Sequence, residues 1–118
     1  MNRKELIRQY KETQRPMGVF QVRNTESGKV YVGTSRDLPS MLNRQRAQLR
    51  LGAHPDRGLQ ADWKALGDTA FTFDILDTIE PPEEPGYDPE ADLRTLEELW
   101  RGRLSEGAVE VYNPARKR

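Results

Sequence analysis

Glu97 stands where a carboxylate is costly. In the segment from Asp88 to about Ser105, Leu93, Leu96, Trp100 and Leu104 recur at helical spacing and make one apolar stripe. At about 100° per residue, Glu97 falls within about 40° of Leu93 and inside that stripe, whereas its neighbour Glu98 points to the opposite side. A carboxylate on a burying face must be ion-paired, protonated or bound to a cation. Two readings follow for Glu97: an ion pair with a basic residue from the first half of the chain, or a metal ligand at the floor of a cleft. Other chemistry-bearing groups are few. The chain has one histidine, His54, and no cysteine, which excludes a disulfide framework and the usual structural zinc sites.

Charge is balanced overall but not along the chain. Residues 1–57 hold 12 Lys and Arg against 5 Asp and Glu, whereas residues 58–110 hold 4 against 14. Arg116-Lys117-Arg118 closes the chain with three more cations. This asymmetry hints at an anionic partner for the basic half. At 118 residues and 35% hydrophobic content, one domain with a modest core is expected. No apolar run is long enough to span a bilayer, and the start does not read as a secretion signal. The expectation is a cytoplasmic protein without a membrane partner.

The elements that must position these groups can be read in order. Residues 1–15 suggest a short helix or arm carrying Leu6, Ile7 and Tyr10, ended by Arg15-Pro16. Gly18 to Arg23 and Lys29 to Gly33 read as strands, joined by the turn-forming Asn24-Thr25-Glu26-Ser27-Gly28 into a hairpin. Asp37 is a good N-cap for a helix that tolerates Pro39 in its first turn, buries Leu38, Leu42 and Leu49, and stops at Gly52. A second helix is predicted from about Pro55 to Leu66. A half-buried strand follows, with Phe71, Phe73 and Ile75 alternating with polar residues. The Pro- and Glu-rich stretch 80–89 reads as an exposed connection. Asp88 then caps, and Pro89 opens, the helix that carries Glu97. Val109 to Asn113 reads as a short strand or turn. The fold class predicted is α/β of the α+β kind: a small three-stranded, mainly antiparallel sheet flanked by helices. A single domain covers residues 1–118, with its core in 17–113 and a basic tail in 114–118.

The hairpin carries a resemblance. Gly18-Val19-Phe20 followed by Tyr31-Val32-Gly33 is similar to the paired tripeptides that name the GIY-YIG nuclease family. Asn24, Gly28-Lys29-Val30, Thr34-Ser35 and Leu38 continue the match. Leu49 to His54 and Leu59 to Trp63 resemble the family's second-helix start, and Phe71 to Leu76 its third strand. Glu97-Glu98-Leu99-Trp100 resembles its glutamate helix, and Tyr112-Asn113 its closing asparagine. The resemblance spans about residues 17–113.

It implies a divalent-metal-dependent endonuclease that hydrolyses phosphodiester bonds, on DNA in preference to RNA. Mg²⁺ or Mn²⁺ would be held by Glu97, and Tyr31 would help to deprotonate the attacking water. His54 and Asn113 match family positions and join the candidate site. Three positions depart from the pattern: Phe20 replaces the first tyrosine, Met41 the helix arginine, and Gln45 the histidine one turn later. Arg44, one turn beyond Met41, is expected to supply the missing cation, with Arg36 the second candidate. Arg36, Arg46 and Arg50 are assigned to nucleic-acid binding. The departures open a second reading, a degenerate domain that binds nucleic acid without cutting. Oligomeric state, strandedness and sequence preference are not legible in the chain.

Overall fold

The computed structural model describes residues 2–4 and 15–115. The reading of residues 1–15 as a helix or arm therefore falls almost wholly outside the described residues, as does the end of the basic tail. Among the described residues, three strands, β1 (Met17–Asn24), β2 (Val30–Ser35) and β3 (Phe71–Ile79), and three α-helices, α1 (Leu38–Leu51), α2 (Arg57–Leu66) and α3 (Glu90–Glu106), follow in the order β1-β2-α1-α2-β3-α3. The sheet order is β2-β1-β3, and both pairings are antiparallel. The predicted α+β architecture is the one observed.

The β1–β2 hairpin closes through Asn24, whose side-chain oxygen accepts hydrogen bonds from the amides of Glu26 and Ser27. Its register sets Phe20 opposite Gly33. A Cβ at Gly33 would lie 2.7 Å from Phe20 Cζ, so the ring fills the space that a side chain would need. Gly18 is constrained from the other side, because a Cβ there would lie 1.9 Å from the Asp77 carbonyl oxygen of β3. The two tripeptide glycines are thus required by close packing, one against backbone and one against an aromatic ring.

Alternation along the strands gives the sheet two apolar faces. Under α1 and α2, Val22 packs with Leu49, Leu59, Trp63, Ala70 and Phe71, and Tyr31, Phe73 and Tyr112 border the cluster. On the other face, Val19, Val30 and Val32 pack with Leu76 and with Leu96, Trp100 and Leu104 of α3. Ile75 departs from its expected half-buried place and is 44% exposed. The β1–β3 register shifts between Val19 and Phe20. The extra β3 residue at this bulge is Leu76, and it is Leu76 that enters the α3 face.

Helix ends follow the sequence closely. Asp37 accepts a hydrogen bond from the Ser40 amide, and Gly52 ends α1 in the left-handed region at φ 74°. Asp88 accepts from the amide of Glu90, which begins α3 one position later than expected. After α3 the chain returns beside β2. Val30 donates to the carbonyl of Glu110 and accepts from the amide of Tyr112, a parallel bridge on that outer edge. Tyr112 anchors this return: its hydroxyl donates to Asp62 of α2 at 2.6 Å and accepts from Asn24. Burial first, then the Asp62 carboxylate, pushes the Tyr112 hydroxyl up to about 12. Among the described residues no helix is long and apolar enough to cross a membrane.

Candidate active site

The carboxylate of Glu97 is paired, and its partner lies one turn on in the same helix. Arg101 donates from Nε to Glu97 Oε2 at 3.1 Å. It also donates from Nη1 to the Asn113 carbonyl at 2.7 Å and from Nη2 to the Val32 carbonyl at 3.5 Å. The Arg101 side chain is 16% exposed and that of Glu97 31%. The pair therefore sits at the rim of the α3 core and not deep within it. Of the two readings of Glu97, the ion-pair alternative placed its partner in the basic first half of the chain; the observed partner, Arg101, lies in the acidic stretch 58–110. The E-x-x-x-R spacing was legible, since residues four apart on a helix are neighbours.

Asn113 extends the sheet edge with its side chain. Its Oδ1 accepts from the Val32 amide at 3.0 Å and its Nδ2 donates to the Val32 carbonyl at 2.6 Å. A primary amide reproduces here the donor and acceptor pair of a neighbouring strand. Both ends of the Asn113 amide are thus engaged with β2, immediately before Gly33 of the second tripeptide.

Tyr31 occupies the opposite face of the same strand segment. Its ring meets His54 edge-on at 5.0 Å and lies 6.3 Å from Phe20. Burial raises the Tyr31 hydroxyl above its ordinary pKa, the Asp56 and Glu97 carboxylates raise it further, and Arg101 opposes them. The phenol is therefore neutral at neutral pH, suited to orienting a water or relaying a proton and not to standing as a phenolate. Tyr31 packs at the border of the cluster under α1 and α2, against His54 of the loop that leads into α2.

His54 is 5% exposed. Its amide donates to Gln60 Oε1, whose Nε2 in turn donates to the Leu49 carbonyl, so α2 pins the α1–α2 loop to the end of α1. Nδ1 accepts from the Asp56 amide at 3.0 Å, which assigns the ring proton to Nε2. Nε2 then donates to Gln45 Oε1 at 2.5 Å. Gln45 is itself buried, with its Nε2 directed at Met41 Sδ at 3.5 Å. Both ring nitrogens are engaged, and burial lowers the His54 pKa below its usual value against the pull of Asp56. In this arrangement His54 is neutral and props the Tyr31 ring; neither nitrogen faces outward to accept a proton or hold a phosphate.

The basic candidates scatter. The Arg44 side chain is exposed, with no hydrogen bond or ion pair among the described residues. Arg46 lies flat over the Phe73 ring at 4.6 Å. Arg50 and Lys64 border a shallow groove with Leu49, Leu51, Gly52 and Trp63. Arg36 is held by Asp88 and Glu90 at 3.0 and 2.8 Å. The stretch 80–89, expected to face only solvent, thus ends by pairing with Arg36.

A resident metal can be tested against these groups. Among the described residues no three His, Cys, Asp or Glu side chains are grouped to hold one. Glu97 offers one carboxylate, partly exposed, with Oε2 bonded to Arg101 and Oε1 left for a ligand. A single carboxylate with water completing the shell suits Mg²⁺ or Mn²⁺ and is too sparse for a zinc cage. Glu97 fits such an ion as its one protein ligand.

No protein-family model and no curated protein matches the chain. Two solved structures do. The catalytic domain of the homing endonuclease I-TevI aligns at 29% identity with a TM-score of 0.65, over 85% of this chain and 99% of that domain. A glutamate-to-alanine mutant of the same intron endonuclease domain aligns at 27% identity with a TM-score of 0.66, over 87% and 97%. The shared fold is three antiparallel strands flanked by helices.

Proposed function

We propose that this chain, whose fold matches the I-TevI catalytic domain, is a GIY-YIG-type endonuclease that hydrolyses phosphodiester bonds in DNA with a divalent cation. The observation that carries the reading is that the Glu97–Arg101 pair is tied to the second tripeptide through the Val32 carbonyl, next to Tyr31, in a chain that spans nearly all of the I-TevI catalytic domain. Hydrolysis of a phosphodiester needs a positioned water, a path for its proton and positive charge facing the phosphate oxygens. The neutral Tyr31 hydroxyl orients the water and relays its proton to bulk solvent, accepting one proton as it gives up its own. Glu97 would hold Mg²⁺ or Mn²⁺, which when bound polarises the phosphate. Asn113 and His54 are positioning residues: one fixes the β2 edge beside Glu97 and Arg101, the other fixes the Tyr31 ring.

Nicking of supercoiled plasmid DNA in Mg²⁺ or Mn²⁺, with EDTA as the control, tests the reading. Metal-dependent nicking supports it, and intact plasmid at every metal concentration refutes it. The degenerate binder keeps its place on three residues, Phe20, Met41 and Gln45, which remove a hydroxyl, a cation and an imidazole. It predicts intact plasmid together with metal-independent binding that weakens steeply with salt, as phosphate counterions are released.

A further inference from the structure

We propose that Arg101 is the fixed cation of the site, set on α3 to face the scissile phosphate where α1 offers Met41, and that it is held in balance against the metal at Glu97. The inference rests on the nuclease reading above. Hydrolysis builds negative charge on the phosphate oxygens, and a guanidinium held rigidly beside them is the usual protein answer.

The arginines expected to fill this role do not reach it. Arg44 is exposed, Arg46 lies over Phe73, and Arg36 is bound to Asp88 and Glu90. Among the described residues Arg101 is the guanidinium in contact with Glu97, and its charge is felt at the Tyr31 hydroxyl. Its fork is anchored by the Asn113 and Val32 carbonyls, so its position is set by the sheet edge and not by a free side chain. Three of the five N–H donors of a guanidinium are engaged in this way, which leaves two for a phosphate oxygen. At 16% exposure its charge is poorly screened. The same contact has a second consequence. The guanidinium already offsets part of the Glu97 charge, so a cation on Glu97 must bind in the presence of a positive neighbour.

A purely structural arginine and a charge-bearing one differ in what happens to the metal when it is removed. The test compares the whole chain with Arg101→Gln and Arg101→Lys, each first shown by thermal melting to be folded. Mn²⁺ binding without DNA is titrated by electron paramagnetic resonance, with Glu97→Gln as the blank, and single-turnover cleavage of a labelled duplex is measured at saturating Mn²⁺. Arg101→Gln should bind Mn²⁺ about three- to tenfold more tightly and cleave about 10²-fold or more slowly. Arg101→Lys, which keeps the charge and loses the fork, should fall between wild type and Arg101→Gln in both. Opposite movement of metal binding and rate is the signature, since loss of structure would weaken both. Unchanged or weaker Mn²⁺ binding in folded Arg101→Gln, or a rate within threefold of wild type, overturns the proposal. Wild type that cuts nothing refutes the nuclease reading instead. Arg101 is then judged on Mn²⁺ alone: tightening upholds it as the cation set against Glu97, and no change refutes it.

Discussion

Replacing Asn113 by Ala removes a side chain that acts as a fragment of a fourth strand. The Val32 amide loses its acceptor at 3.0 Å and the Val32 carbonyl its donor at 2.6 Å. Val32 is 1% exposed, so water has little access to take the place of either bond. An orphaned buried amide costs about 1–3 kcal/mol, and the second bond adds about 1 kcal/mol. The carbonyl keeps only its long contact with Arg101. The expected loss is therefore about 2–4 kcal/mol, a large part of the roughly 5–15 kcal/mol that holds a domain together. With a urea m-value of about 1–3 kcal/mol/M, the midpoint should fall by roughly 1–2 M. Asn113→Asp should be no better, because it turns a carboxylate oxygen towards the Val32 carbonyl. Urea unfolding followed by circular dichroism at neutral pH measures both variants. A midpoint within about 0.3 M of wild type for either would show that the Asn113 amide does not complete the sheet edge.

Other consequences follow from the same geometry. The His54 pKa is lowered in the fold from about 6.5, so below that pH the unfolded chain takes up the proton first. The stability from neutral His54 is thus fully present above about pH 6.5 and is lost as pH falls towards the lower folded value. Urea midpoints between about pH 8 and 5 should drop more steeply for wild type than for His54→Gln, and parallel profiles would contradict this. Gly33→Ala drives a methyl to 2.7 Å from the Phe20 ring and should cost about 1–3 kcal/mol by overpacking. In a Phe20→Leu background the same substitution should cost markedly less, and a double-mutant cycle without coupling would refute the contact. Arg36→Ala removes two exposed ion pairs and should change stability by less than about 1 kcal/mol; a larger loss in thermal melting would show that the end of stretch 80–89 holds the fold.

The fold was legible because its local signals agree with its tertiary structure. Asp37, Gly52 and Asp88 mark helix ends, Asn24 closes the hairpin, and the Leu93–Leu104 stripe lies where the periodicity puts it. The site was legible in part. Glu97 was singled out by its place in an apolar stripe, and it is indeed half-buried and paired, yet its partner Arg101 was passed over for the basic half of the chain. Charge blocks describe a sequence average, whereas an ion pair is settled by four residues of helix. The roles of His54 and Asn113 could not be read at all. Each depends on side-chain atoms from distant segments, Gln45 and Asp56 for one and Val32 for the other, which only the folded chain brings within hydrogen-bond reach. Ile75 keeps the face of Phe73 but lies beyond the cover of the helices there, and the bulge that follows it adds Leu76 to the opposite, α3 face.

The central claim is that Glu97 is the metal-bearing carboxylate of a nuclease site. Single-turnover cleavage of an end-labelled DNA duplex, by wild type and Glu97→Gln in parallel, tests it most directly. Glutamine keeps the size of the side chain and can still accept from Arg101, so the fold should survive. Wild type should cut in Mg²⁺ or Mn²⁺ and stop in EDTA, and folded Glu97→Gln should be slower by about 10²-fold or more. Equal cleavage by the two proteins, or cleavage by wild type that persists in EDTA, would contradict it.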